Sequence, residues 1–177
     1  LVGSTTIGGG FAVGVFASPI VRDVPRRVSA NEKVNVAVVG AGGRGAEDLR
    51  GLDATEACNI VALCDCDLRN AASSFKKYPQ ARQYVDWRKM LDEQKDMDAV
   101  VIAIPDHQHV PAALKAMLLG KHAYVEKPLA HTIQEARLMK ETAERMKVVT
   151  QMGNGGHAGE GSIHAIRIHP GARQQSE

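Results

Sequence analysis

Cysteine is scarce in this 177-residue chain, with Cys58, Cys64 and Cys66 its whole supply. An odd number clustered around one predicted strand, whose alternate residues face opposite sides, argues against a disulfide framework and offers no zinc-ligand spacing. Seven histidines are present, three of them at His157, His164 and His169, but their spacing matches no ligand motif, so no metal is expected. An excess of either charge sign is also missing: the formal net charge is +2, and basic residues alternate with acidic ones along every predicted helix. That distribution removes the electrostatic case for a nucleic-acid or polyanion partner. No internal repeat appears, which sets aside solenoid and propeller architectures.

A convincing membrane span is lacking too. Leu1 to Ile20 carries no charge, yet five glycines (Gly3, Gly8, Gly9, Gly10, Gly14) and Pro19 make it a poor spanning helix. Arg22, Asp23, Arg26 and Arg27 follow, and Val28-Ser29-Ala30 offers small residues suited to cleavage. Residues 1–30 therefore read as the apolar part of an export signal, with the initiator Met and charged n-region absent. The weak hydrophobicity resembles twin-arginine signals, although Arg26-Arg27 follows the apolar stretch instead of preceding it. The expected location is exported or periplasmic; the alternative is a cytoplasmic protein with a disordered or tethering N-terminal tail.

What remains is a chain with 44% hydrophobic and 24% charged residues, enough for one domain with a real core and flanking segments. Its most informative stretch is Val34-Asn35-Val36-Ala37-Val38-Val39-Gly40-Ala41-Gly42-Gly43-Arg44-Gly45, an apolar strand running into G-x-G-x-x-G. Asp65 lies 65 − 45 = 20 positions past the last glycine, at the end of a second apolar run, Asn59 to Cys64. This is the dinucleotide fingerprint in its required context of strand, turn and helix. Gly40 allows the tight turn, Gly42 lets the backbone approach a pyrophosphate, and Gly45 lets the helix pack against the strand. Asp65 is placed to accept from ribose hydroxyls and to repel a 2′-phosphate, which favours NAD over NADP.

From Asn31 on, apolar runs alternate with amphipathic stretches, as in a parallel sheet covered by helices on both faces. Strands are predicted at 34–39, 59–64, 82–85, 98–104, 122–126 and 147–151, and helices at 43–53, 67–77, 86–94, 107–119 and 132–146. Right-handed crossovers then give the doubly wound Rossmann order 3-2-1-4-5-6 over residues 31–153. Thr132 and Glu135 form a capping box, with Ile133, Ala136, Leu138, Met139, Ala143 and Met146 as the apolar face behind it. Pro111 suits a first helical turn, and Trp87 reads as a packing anchor. Ligands of such sheets bind at the carboxyl ends of the strands. That singles out Pro105-Asp106-His107-Gln108-His109 after the fourth strand and Glu126-Lys127-Pro128 after the fifth.

With these residues in view, the chain resembles the Gfo/Idh/MocA family of nicotinamide-dependent oxidoreductases over about Lys33 to Gly161, Glu-Lys-Pro after a strand being the most specific match. The resemblance implies that Gly40, Gly42, Gly43, Arg44 and Gly45 form the pyrophosphate loop and that Asp65 is the ribose acid. It implies that Ile104, Pro105 and His109 line the nicotinamide ribose side. It makes Glu126 and Lys127 the pair whose lysine reaches the nicotinamide and the oxygen of the reacting carbon, and Gln151 to Asn154 the stretch that closes the domain, with Asn154 at the cofactor. A cation there would stabilise charge developing on a hydroxyl as it becomes a carbonyl. The residues alone leave alternatives open: Lys127 as an exposed lysine paired with Glu126, His109 as a proton relay, and Asp106 as an N-cap.

The family continues into a second α/β domain that carries most substrate contacts and the oligomerisation surface. Here the pattern fades after Gly161, so residues 154–177 read as a truncated start of that domain or a divergent tail. The chain is expected to be the nucleotide half, a fragment or frame-shifted product, of a longer enzyme. The implied reaction is hydride transfer between NAD and a sugar, cyclitol or related polyol. A glycoside-cleaving relative with transient NAD use, or an NAD-binding module without turnover, are the alternatives.

Overall fold

Short runs of Val, Ile, Leu and Ala that are apolar on both sides cannot sit at a surface, and in the computed structural model, which describes residues 32–155, they form a six-stranded parallel sheet. The readings made for residues 1–31 and 156–177 lie outside the described residues. In chain order the elements are β1 (Val34–Val39), α1 (Gly43–Thr55), β2 (Cys58–Cys64), α2 (Ala72–Lys77), β3 (Arg82–Tyr84), α3 (Trp87–Glu93) and β4 (Ala99–Ile102). A 3₁₀ turn (Asp106–Gln108), α4 (His109–Leu118), β5 (His122–Glu126), α5 (Ile133–Met146) and β6 (Thr150–Gly153) follow. The strand order is β3-β2-β1-β4-β5-β6, as predicted, and it reverses between β1 and β4.

Strand periodicity divides the core. Val36, Val38 and Val101 face one layer with Leu49, Leu63, Phe75 and Tyr78. Ala37, Val39, Val100 and Ile102 face the other with Met90, Leu91, Met117 and Met139. Trp87 packs partly buried against this second layer, with the Arg88 guanidinium 4.4 Å from its ring centroid. Among the described residues no helix is long and apolar enough to cross a membrane.

Where elements differ from the predicted bounds, a local hydrogen bond is responsible. The helix expected from 67 begins only at Ala72, because the Asp67 carboxylate accepts from the amides of Arg69 and Asn70 at 3.0 and 3.2 Å and closes a turn first. The last strand moves from 147–151 to Thr150–Gly153: Lys147 takes a left-handed conformation (φ 55°) and Val148 still donates to the Ala143 carbonyl, so pairing starts later. The capping box of α5 is present with both of its bonds. Its apolar face is narrower than predicted, however: Met139 and Thr142 are buried, whereas Ile133 and Leu138 are 75% and 47% exposed.

One close approach anchors this architecture. A Cβ on Gly45 would lie 1.6 Å from the Gly40 carbonyl oxygen, a backbone atom that cannot move aside, whereas a Cβ on Gly51, further along α1, meets nothing within 4 Å. Urea denaturation should therefore show Gly45→Ala destabilised by at least about 3 kcal/mol. Gly51→Ala should be stabilised by roughly 0.5–1 kcal/mol through helix propensity and unfolded-state entropy. Equal effects at the two positions would contradict the packing described.

Candidate functional site

The order reversal opens a crest between the ends of β1 and β4, and the glycine turn lies on it. Gly40 holds φ +84° and donates its amide to the Cys64 carbonyl at 2.8 Å; a Cβ there would lie 2.2 Å from the Ala103 oxygen. The turn is also tied from α2, where the buried Ser74 hydroxyl donates to the Ala41 carbonyl at 2.6 Å. Gly42 is the N-cap of α1, and helices that start this way normally borrow a side-chain oxygen. This one has neither a side-chain cap nor an acidic residue in its first turn. Gly43, at φ +48°, faces open space. The first amides of a 13-residue helix are thus left directed at an uncrowded crest, the arrangement that receives a phosphate.

Asp65 completes this half. Its Oδ2 accepts from the Gly42 amide at 2.9 Å and its Oδ1 from the Asp67 amide at 2.9 Å, so the carboxylate is fixed beside the glycine turn. Each oxygen keeps a further lone pair for a diol. Asn70 leans over the same turn: a Cβ on Gly42 would meet its side-chain amide at 2.3 Å.

The other half joins β4, β5 and β6. Glu126 ends β5 almost fully buried, with 7% of its side chain exposed, and Oε1 accepts from the Arg44 guanidinium at 3.0 Å and the Tyr124 hydroxyl at 3.4 Å. Gly153 is required opposite it, since a Cβ would sit 2.3 Å from Oε1. The Lys127 amide donates to the Gly153 carbonyl at 3.0 Å, which seats the Glu-Lys-Pro turn on β6, and the Lys127–Pro128 peptide bond is cis. The Lys127 side chain is exposed, and among the described residues its ammonium makes no ion pair. The alternative in which Glu126 serves Lys127 as a salt-bridge partner is therefore corrected: the carboxylate is committed to Arg44.

His109 is buried, with the residue 1% exposed. Its Nδ1 lies 2.7 Å from the Pro128 oxygen and its Nε2 2.7 Å from the Ile104 oxygen, so the ring sits between the loops after β4 and β5. Ile104 is half-buried and Pro105 exposed, both on the loop after β4, while Asp106 opens the 3₁₀ turn without capping it. Asn154 is exposed just past β6.

Asp48, one turn beyond Arg44 on α1, escaped the sequence reading, as did Tyr124. Their signals were the i,i+4 spacing from Arg44 and the two-residue spacing from Glu126 on β5; Ser74 and Asn70 offered none. Asp48 binds Arg44 at 3.1 Å with 8% of its side chain exposed, and its Oδ2 is buried without a partner. Burial, with Glu126 adding to it and Arg44 only partly opposing, pushes its carboxyl up to about 6. The Arg44 guanidinium thus stands between two buried carboxylates, Asp48 at 3.1 Å and Glu126 at 3.0 Å. Burial, then the charge of Glu126, also raises the Tyr124 hydroxyl. The three cysteines are free, and burial pushes the Cys64 thiol up to about 12. No group of three potential ligands for a metal occurs among the described residues.

An uncapped helix end, an acid tied to the glycine turn and a lysine at the neighbouring strand end define a dinucleotide-binding Rossmann domain. Residues 34–154 match the Gfo/Idh/MocA oxidoreductase family, NAD-binding Rossmann fold, and the chain belongs to that family. A glycosyl hydrolase family 109 protein of Shewanella sp. (strain ANA-3) is 37% identical over 122 residues, covering 64% of this chain and 26% of the relative. Glucose-6-phosphate 3-dehydrogenase of Bacillus subtilis (strain 168) is 30% identical over 118 residues, covering 67% of this chain and 33% of that enzyme. The structure of GenD2 from gentamicin A biosynthesis in complex with NAD superposes with a TM-score of 0.64 at 29% identity, over 73% of this chain and 37% of that one. This chain thus spans about a quarter to a third of the length of these curated relatives.

The carboxyl pair has a measurable consequence. The folded chain holds the Asp48 proton to about pH 6, whereas an ordinary aspartate releases it near 3.8, so stability falls as pH rises through that window and levels off above it. Asp48→Asn keeps an acceptor for Arg44 and a donor for Glu126. Melts across pH 4–8 should show the variant equal to wild type at the acid end and more stable by up to about 3 kcal/mol at the alkaline end. Parallel curves would contradict a raised Asp48 carboxyl.

Proposed function

We propose that this chain is the nucleotide-binding half of an NAD-dependent oxidoreductase acting on a CH–OH group of a sugar, cyclitol or related polyol. The observation that carries it is the bond from the Gly42 amide to Asp65, which brings the acid beside the glycine turn across 23 residues of sequence. The residues fit the dinucleotide: the open space at Gly43 and the uncapped amides of α1 take its diphosphate, and Asp65 takes the adenosine ribose. A fixed carboxylate there disfavours a 2′-phosphate, so NAD is preferred to NADP. When bound, NAD supplies the hydride-accepting ring. Lys127 then contributes a cation on the loop after β5 that steadies negative charge on the oxygen of the reacting carbon. The polyol class is supported by the glucose-6-phosphate 3-dehydrogenase among the relatives.

A second reading has support of its own, because the 37% relative is named a glycosyl hydrolase. In it bound NAD would supply a transient hydride acceptor, and a glycoside would be cleaved without net redox change. Measured product with no accumulated NADH would favour this course. The proposal also includes export, motivated by the uncharged Leu1–Ile20 stretch ahead of the arginines; recovery of the protein only from the cytoplasmic fraction would refute that part.

NADH titration followed by its fluorescence should show saturable binding that Asp65→Ser weakens about tenfold while improving NADPH relative to NADH. Unchanged affinity in Asp65→Ser would overturn the assignment. Lys127→Met should leave NADH affinity within about twofold and lower any polyol-dependent rise in nicotinamide absorbance by roughly 100-fold. Binding with no such rise in wild type reduces the chain to a nucleotide-binding module.

A further inference from the structure

We propose that His109 is a positioning residue that sets the Glu-Lys-Pro turn by clamping the loops after β4 and β5 together, acting through the Pro128 carbonyl. It rests on the functional reading above, since what the clamp positions is the nicotinamide end of the site. An imidazole with 1% exposure, at the first residue of α4, must find partners inside the protein, and two carbonyl oxygens lie 2.7 Å from its nitrogens; a neutral ring donates to one of them, and the clamp assigns that N–H to Nδ1 and Pro128. Both acceptors belong to loops that lack regular pairing of their own: Ile104 follows β4, and Pro128 follows Lys127. A proline ring offers no amide to fasten its loop, so the carbonyl is the available handle. The Lys127 amide supplies the other fixing point on Gly153. Between these two attachments the Lys127 stem leaves the sheet at a defined place while its ammonium stays exposed.

The two ring nitrogens can be tested apart, because an asparagine amide nitrogen falls near the Nδ1 position and a glutamine amide nitrogen near Nε2. His109→Asn keeps the donor toward Pro128 and leaves the larger void; His109→Gln directs its donor toward Ile104 instead and fills the space better. A space-filling histidine would therefore make Asn the worse variant, and the clamp makes it the better one.

Affinities for NADH and for ADP, which lacks the nicotinamide half, are measured for each variant, together with hydrogen exchange of the Lys127 amide. His109→Gln is expected to lower the NADH-to-ADP affinity ratio about fivefold and to speed Lys127 exchange about tenfold, with His109→Asn within about twofold of wild type on both. The reverse order, equal effects of the two, or unchanged Lys127 exchange in both would overturn the clamp. If the Gln variant does not fold, loss of the ratio in folded His109→Asn overturns it and retention supports it. Wild type that binds neither nucleotide defeats the functional reading, while exchange at Lys127 still decides the clamp.

Discussion

Three backbone segments meet at the carboxyl end of β1 with less space between them than a methyl group occupies. Gly40 touches the carbonyl of Ala103 from the end of β4, and Gly45 on α1 rests against the carbonyl of Gly40. Close-packed backbones of this kind cannot relax by changing a rotamer, so the position and axis of α1 follow from them. The helix N-terminus therefore comes to rest on the crest where the strand order reverses. Electrostatics adds the rest: partial positive charge from aligned peptide dipoles gathers at that end, where no acidic residue lies in the first turn and the Asp65 carboxylate takes only the Gly42 amide.

The two halves of the site are held by different means. On the adenosine side the backbone does most of the holding, with Asp65 bridging two amides and Ser74 fixing a carbonyl. On the nicotinamide side buried polar side chains take over: Glu126 gathers Arg44 and Tyr124, and His109 spans two loops. Buried polar networks cost desolvation and repay it only with good geometry, but they fix relative positions that apolar packing leaves looser. Arg44 belongs to both halves, since it stands in the glycine turn and reaches the end of β5 82 residues later. Among the described residues the exposed Lys127 ammonium makes no ion pair with that network.

Much of the fold could be read from pattern alone. Apolar runs at 34–39, 59–64 and 122–126 became strands with little change, and Thr132 with Glu135 capped α5 as their spacing requires. Errors fell where a side chain competed with the backbone, as Asp67 does ahead of α2, or where a helix met a narrow contact surface, as α5 does at Ile133 and Leu138. Within the site, Gly40, Gly42, Gly45 and Asp65 were legible because their spacing is a steric and geometric requirement of one short unit. His109 was found by its place in a motif, but its burial between two loops was not legible, since burial is a property of what packs around a residue.

Sequence by itself determined the strand-turn-helix unit, its acid and the order in which the strands would stack, because those follow from local sterics, hydrophobic period and the handedness of crossovers. Only the tertiary structure decided which charges pair. Arg44 with Glu126 joins residues 82 positions apart, Asp48 is left with a buried, unpartnered Oδ2, and His109 lies between the carbonyls of Ile104 and Pro128 on different loops. Distances of about 3 Å, and the dielectric in which they act, exist only once the sheet has brought its strand ends together.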